Sequence, residues 1–197
     1  MVIKINGEEL AYTLEDEKTI GEVLGGIEAA CRQAHETVVD VQVDGKQLTA
    51  AELDRLFAQS PDSGITIDLS TVSGESIRRY MQELVKELLA YAEEFEQIPV
   101  YMQTGKDSKV LTLLETFSVK LHELYRAFLL PEVTELPLDI RIDDKPLDSY
   151  QKEINALMQD IVSAIEEKDI IQIGDLAEYE LAPLVKTLVN GVSSAIA

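Results

Sequence analysis

Val41-Gln42-Val43-Asp44-Gly45-Lys46-Gln47-Leu48 reads as a strand running into a tight turn, and the same pattern returns at Ile3 to Leu10 and at Ile140 to Leu147. Alternating β-branched residues suit a half-buried strand, and Asp-Gly accepts the positive φ that a two-residue hairpin turn demands. In the second and third copies the leucine leads directly into a helix-capping sequence, whereas the first copy runs on into a strand. Strand, turn and cap is a common way for a chain to change direction, so the recurrence marks topology rather than a duplicated domain.

Around this stretch the first 73 residues alternate between strand and helix signals. Val2, Ile3 and Ile5, then Leu10, Tyr12 and Leu14, alternate about an Asn6-Gly7 turn. Thr19-Ile20-Gly21-Glu22 has the spacing of a capping box, in which the threonine oxygen accepts from the Glu22 amide and the Glu22 side chain returns to the Thr19 amide. The following helix places Ile20, Val23, Leu24, Ile27, Ala30, Cys31 and Ala34 on one face, with Gly25-Gly26 expected to let it lie close to a sheet. Val39, Val41 and Val43 form the next strand, and Thr49-Ala50-Ala51-Glu52 is a second capping box opening a short helix to about Ala58. A loop at Ser60-Pro61-Asp62-Ser63-Gly64 precedes a strand of Ile65, Ile67 and Leu69.

From Glu75 the period changes. Ile77, Met81, Leu84, Leu88, Tyr91 and Phe95 step by three and four, as do Val110, Leu114, Phe117, Leu121, Leu124 and Phe128, which predicts two long antiparallel helices joined at Ile98-Pro99 and a polar turn near Gly105. Alternation returns at Leu136 to Ile142. There Asp143-Asp144 stands in place of Asp-Gly and Pro146 removes a donor, so an edge strand or an extended connector is expected, with the strand over 138–142 pairing with the N-terminal sheet or a partner's edge. Asp148-Ser149-Tyr150-Gln151 and Asp169-Ile170-Ile171-Gln172 predict two more capped helices, the first with Tyr150, Ile154, Leu157, Ile161 and Ile165 inward. The last helix, with Leu176, Leu181, Leu184 and Leu188 inward, is expected to kink at Pro183 and to end near Gly191.

The fold class is therefore α+β, with a small mixed-sheet domain over residues 1–73 and an antiparallel bundle of about four helices over 74–197. The order hairpin, helix, strand, short helix, strand resembles the β-grasp, or ubiquitin-like, fold. Conjugating members of that family end in a flexible Gly-Gly tail, where this chain has Thr71-Val72-Ser73-Gly74 running into a helix; ferredoxin-type members need a cysteine cluster that Cys31 alone cannot supply. The resemblance thus implies a fold and no chemistry. The segment Asp175-Leu176-Ala177-Glu178-Tyr179-Glu180-Leu181-Ala182-Pro183 is similar to helical regions of uncharacterised bacterial proteins, and Asp175, Glu178 and Tyr179 fall on adjacent rows of one helix face as a polar patch.

Composition narrows the function. A net charge of −20, spread as 14 acidic against 5 basic residues in 1–73 and 23 against 12 in the remainder, argues against nucleic acid or an anionic membrane as partner. One cysteine and a start that leads directly into a strand pattern point to the cytoplasm. His122 and His35 lack the Glu-x-x-His spacing of a di-iron site, since Val119 and Arg32 stand three residues before them. His35 is expected at a helix C-terminus and His122 on the surface or at a groove edge. Cys31 reads as a buried hydrophobe, no phosphate-binding glycine loop occurs, and Asp139, Asp143, Asp144 and Asp148 lack EF-hand spacing. Catalytic residues, metal ligands and cofactors are all expected to be none. The expectation is a non-enzymatic interaction or assembly module that holds a protein partner or pairs as a homodimer. The alternative is a small-ligand binder or enzyme with its site between head and bundle, using tyrosines such as Tyr150 and Tyr179.

Overall fold

The computed structural model describes residues 1–61, 64–137 and 139–197; Asp62 and Ser63 of the expected loop and Leu138 of the expected strand lie outside the described residues. The chain divides into two compact units: Met1–Ile77 with Glu132–Glu135, and Arg78–Pro131 with Leu136–Ala197.

The first unit is a five-stranded mixed sheet carrying a helix. Its elements are β1 (Val2–Ile5), β2 (Glu8–Glu9), α1 (Ile20–Gln33), β3 (Glu36–Val43), β4 (Lys46–Gln47), α2 (Ala50–Phe57) and β5 (Thr66–Ser73), in sheet order β2-β1-β5-β3-β4. β1 runs parallel to β5, with Ile3 beside Ile67, and every other pair is antiparallel. Both expected turns form, with Asn6 and Gly7 at φ 53 and 85 and Asp44 and Gly45 at 48 and 75. The buried faces of α1 and the sheet share one core of Ile3, Ile20, Val23, Leu24, Ile27, Cys31, Leu56, Ile67 and Leu69.

Several local expectations change. The second strand stops at Glu9; Leu10 and Tyr12 pack against the core without ladder partners beyond the Leu10 amide bond to the Ile3 carbonyl. β3 bulges between Val38 and Asp40, and the extra residue flips the alternation, so Val38 packs inward and Val39 is 57% exposed. Thr49 and Glu52 complete their capping box, but in α1 the Glu22 carboxylate accepts from the Lys18 amide instead of Thr19. Ala30, Ala34 and the pair Gly25-Gly26 face solvent, and a Cβ at either glycine would meet nothing within 4 Å. Within α1 the glycine under a packing constraint is Gly21, whose Cβ would stand 3.1 Å from Phe57.

The remaining elements are α3 (Gly74–Phe95), α4 (Ile98–Gln103), α5 (Asp107–Ala127), a single turn α6 (Pro131–Thr134), β6 (Arg141–Ile142), β7 (Lys145–Pro146), α7 (Leu147–Glu167), α8 (Ile170–Asp175) and α9 (Ala182–Ala195). α3 and α5 are antiparallel. Phe117 sits edge-on to Phe95 at 4.9 Å and to Tyr91 at 5.9 Å, while Tyr80 donates to Glu123 at the other end. The Val133–Thr134 turn is buried in the first unit, where a side chain at Gly74 would collide with the Val133 carbonyl.

The segment after Leu138 departs most from expectation. β6 pairs with β7 in its own two-stranded ribbon, not with the N-terminal sheet, because Asp143 and Asp144 adopt φ 48 and 62 and close a hairpin without glycine. Leu147 opens α7 one residue earlier than the expected cap, which leaves Asp148 in the first turn with no capping bond. Ahead of Pro183 the chain adopts a π turn over Leu176–Leu181, in which the Ala182 amide reaches the Ala177 carbonyl; the wider turn accommodates a residue that lacks an N–H. α9 continues to Ala195, past Gly191, whose role is close contact with Ile142 and not termination.

Candidate functional site

The residues singled out in the sequence fall at the π turn. Asp175 and Tyr179 are exposed and Glu178 is half-buried. The Glu178 charge and a hydrogen bond to it raise the Tyr179 phenol above its ordinary value, and Asp175 adds to the effect. This groups the three electrostatically at the surface. Tyr150 is elsewhere committed: it is buried, and its hydroxyl donates to the Ile142 carbonyl at 3.2 Å, bracing the β6–β7 ribbon.

Sequence reasoning missed the apolar neighbour of this patch. Asp169 caps α8 by accepting from the Gln172 amide at 3.0 Å, and Lys168 turns the chain at φ 60. That geometry buries Ile173 and Gly174 but leaves Ile170 and Ile171 at 45% and 77% exposure. Gly174 admits the ring of Pro99, 3.3 Å from where its Cβ would be, and so docks α4 beside α8 with Val100 51% exposed. Ile171 stands one turn before Asp175. An apolar patch with Lys168, Asp169 and Asp175 at its rim results.

A second surface feature of the same unit is a half-open groove of about 470 Å³. His122, Tyr125, Arg126, Phe128 and Leu129 of α5 and its end form one wall. Pro131, Pro137, Asp139 and Ile140 form the next, and Pro146, Leu147, Asp148 and Gln151 the third. The Tyr125 hydroxyl donates to the Leu147 carbonyl at 3.0 Å, and the Leu147 amide to Ile140 at 3.0 Å, so the α5 and α7 walls are tied together. Burial pushes the Tyr125 phenol well up, and the nearby Asp148 charge adds to this. Asp139 is spoken for by Arg141 at 3.2 Å. The groove draws on three segments between His122 and Gln151; His122, Asp139, Pro146 and Asp148 are marked singly in the sequence, none of them for this role.

His35 lies just past α1 in a left-handed conformation, where its Nδ1 is 3.3 Å from Glu135, and Arg32 reaches Glu132 at 3.2 Å. Glu28 is the better-built carboxylate of this unit: it accepts from Thr37 Oγ1 and the Val38 amide at 3.0 Å and from Arg32 at 3.1 Å. Burial alone would raise the Glu28 carboxyl; these bonds outweigh it and hold the group below its ordinary value. Glu17 pushes the Tyr12 phenol up to about 12 through their hydrogen bond. Among the described residues, no three His, Cys, Asp or Glu side chains stand together as a metal site, and no helix is long and apolar enough to cross a membrane.

Fold and surfaces together define an α+β protein with an N-terminal mixed-sheet unit and a helical unit that bears an apolar patch and a groove. A family model described as the TP0873 N-terminal domain matches residues 1–73, and one described as a domain of unknown function, DUF8042, matches residues 79–191. A Treponema pallidum (strain Nichols) protein described as "Uncharacterized protein" is 44% identical over 192 residues, covering 98% of this chain and 96% of that protein. The chain belongs to this DUF8042 family of bacterial proteins. No solved structure matches it.

Proposed function

We propose that this protein is a non-enzymatic interaction module of the cytoplasm that pairs with a second copy of itself through the α4–α8 patch. The observation that carries the reading is Ile171, 77% exposed beside the exposed Ile170 and Val100, on a helix whose cap and glycine contact hold these side chains outward. Large apolar side chains grouped at one place and rimmed by charge are the anatomy of a protein interface. A two-fold pairing supplies charge complementarity, because Lys168 of one copy meets Asp169 or Asp175 of the other. Against a monomer charge of −20, such local pairing is what makes self-association tolerable.

The N-terminal unit serves as the head of this module. Its parallel β1–β5 pair flanked by antiparallel neighbours, with α1 across one face, supports the β-grasp-like reading of residues 1–73. Its sheet edges are poor docking sites: β2 is two glutamates long, and the β3 bulge and the Glu28 bond to the Val38 amide interrupt the other side. Light scattering over a concentration series tests the proposal. The mass should rise above the 21.9 kDa monomer, and Ile171→Glu should hold it there. A wild-type mass that stays monomeric at every concentration sinks the reading.

A further inference from the structure

The groove on the helical unit has a chemistry that pairing through α4–α8 does not use. Part of its lining is apolar and stiff: Pro131, Pro137 and Pro146 restrict the backbone, and Leu129 stands 77% exposed. Into it the α5 wall brings Arg126 and the α7 wall brings Asp148, and neither side chain has a hydrogen-bond or ion-pair partner among the described residues. Both side chains are exposed, so each is open to a ligand that enters the groove. An aspartate and an arginine lining one cavity without meeting suit an occupant that offers a donor to the first and an acceptor to the second. A volume near 470 Å³ holds one or two residues of a peptide and falls within the range of specific ligand sites, about 300 to 1,000 Å³.

We infer that this groove receives the C-terminal residue of a polypeptide: the terminal carboxylate on Arg126, the last backbone N–H on Asp148, and an apolar side chain against Leu129 and the prolines. The planar guanidinium matches a carboxylate in a bidentate way, and capture of a chain end by a fixed donor set is an established recognition mode. Gln151, one turn after Asp148, offers a second acceptor or donor for the same backbone. The inference rests on the interaction-module reading for its biological sense, but uses different residues.

The test is a titration of the full-length ¹⁵N-labelled protein with N-acetyl-Ala-Leu as free acid and as C-terminal amide, followed by amide chemical shifts. The free acid should move resonances of the α5 end and the α7 start, with the amide binding at least tenfold more weakly. Arg126→Ala should weaken the free acid at least tenfold and Arg126→Lys less, while both leave the spectrum outside the groove unchanged, which establishes that they fold. Asp148→Asn should weaken both peptides. Equal binding of acid and amide, shifts confined to other surfaces, or no shifts at 10 mM peptide each overturn the inference. Because dimer mass is read separately, loss of peptide binding with dimerisation intact removes the groove claim alone, and the converse removes the pairing claim alone.

Discussion

Gly191→Ala should destabilise the helical unit, although alanine is the better helix former. A Cβ at position 191 would lie 2.5 and 2.7 Å from Cγ1 and Cδ1 of Ile142 and closer still to Cγ2. Ile142 cannot yield easily: it is 5% exposed, paired with Lys145 in the β6–β7 ribbon, and its carbonyl holds the Tyr150 hydroxyl. The helix-propensity gain of about 1 kcal/mol therefore competes with overpacking of about 1–3 kcal/mol, for a net loss of up to about 2 kcal/mol. Ile142→Ala alone should cost about 2–5 kcal/mol through the cavity it leaves. In that background the clashing atoms are gone, and Gly191→Ala should turn neutral or stabilising by up to about 1 kcal/mol. Urea unfolding of the four proteins, followed by far-UV circular dichroism, reads this cycle. A stabilising Gly191→Ala in the wild-type background would refute the packing assigned to Ile142 and, with it, the position of the ribbon that forms one wall of the groove.

Other substitutions follow from the same geometry. Gly25→Ala and Gly26→Ala, which meet no atom within 4 Å, should each stabilise the protein, by about 0.5–1 kcal/mol, raising Tm by a few degrees, whereas Gly21→Ala should not, because Phe57 stands in its way. Glu28→Ala should cost about 2 kcal/mol by stripping Thr37, Val38 and Arg32 of their acceptor. Since the folded carboxyl lies below its ordinary value of 4.5, its stabilisation is complete above that pH and is lost as pH falls through the lower folded value. The gap between wild type and Glu28→Gln should therefore shrink in acid, and a gap that widens there would contradict the assignment. Tyr125→Phe should cost about 1–2 kcal/mol by leaving the Leu147 carbonyl without its donor, and should weaken peptide binding in the groove.

What was legible in the chain was what local physics decides. Asn6-Gly7 and Asp44-Gly45 announced their turns because glycine at positive φ needs no tertiary support, and the three- and four-residue steps of α3 and α5 did the same for the helices. Asp143-Asp144 makes the same turn at a conformational cost that only the packing of Ile142 and Tyr150 can offset, so it read as a connector and the ribbon was missed. The Val39 bulge reversed a pattern that alternation alone would place inward. At the candidate sites Asp175, Glu178 and Tyr179 were visible as a helix face, but the exposure of Ile170 and Ile171 depends on Asp169 capping α8 and on Gly174 receiving Pro99 from seventy-five residues earlier. No local signal marks an isoleucine that a cap turns outward.

The most direct measurement is intermolecular paramagnetic relaxation. A nitroxide placed at Gln172→Cys, on a Cys31→Ala background, is mixed with unlabelled-cysteine protein enriched in ¹⁵N, so that any broadening arises between molecules. Pairing through the patch predicts broadening of amides in α4 and α8 and their neighbours, abolished by Ile171→Glu. Broadening absent throughout, or confined to the N-terminal sheet, would contradict the account.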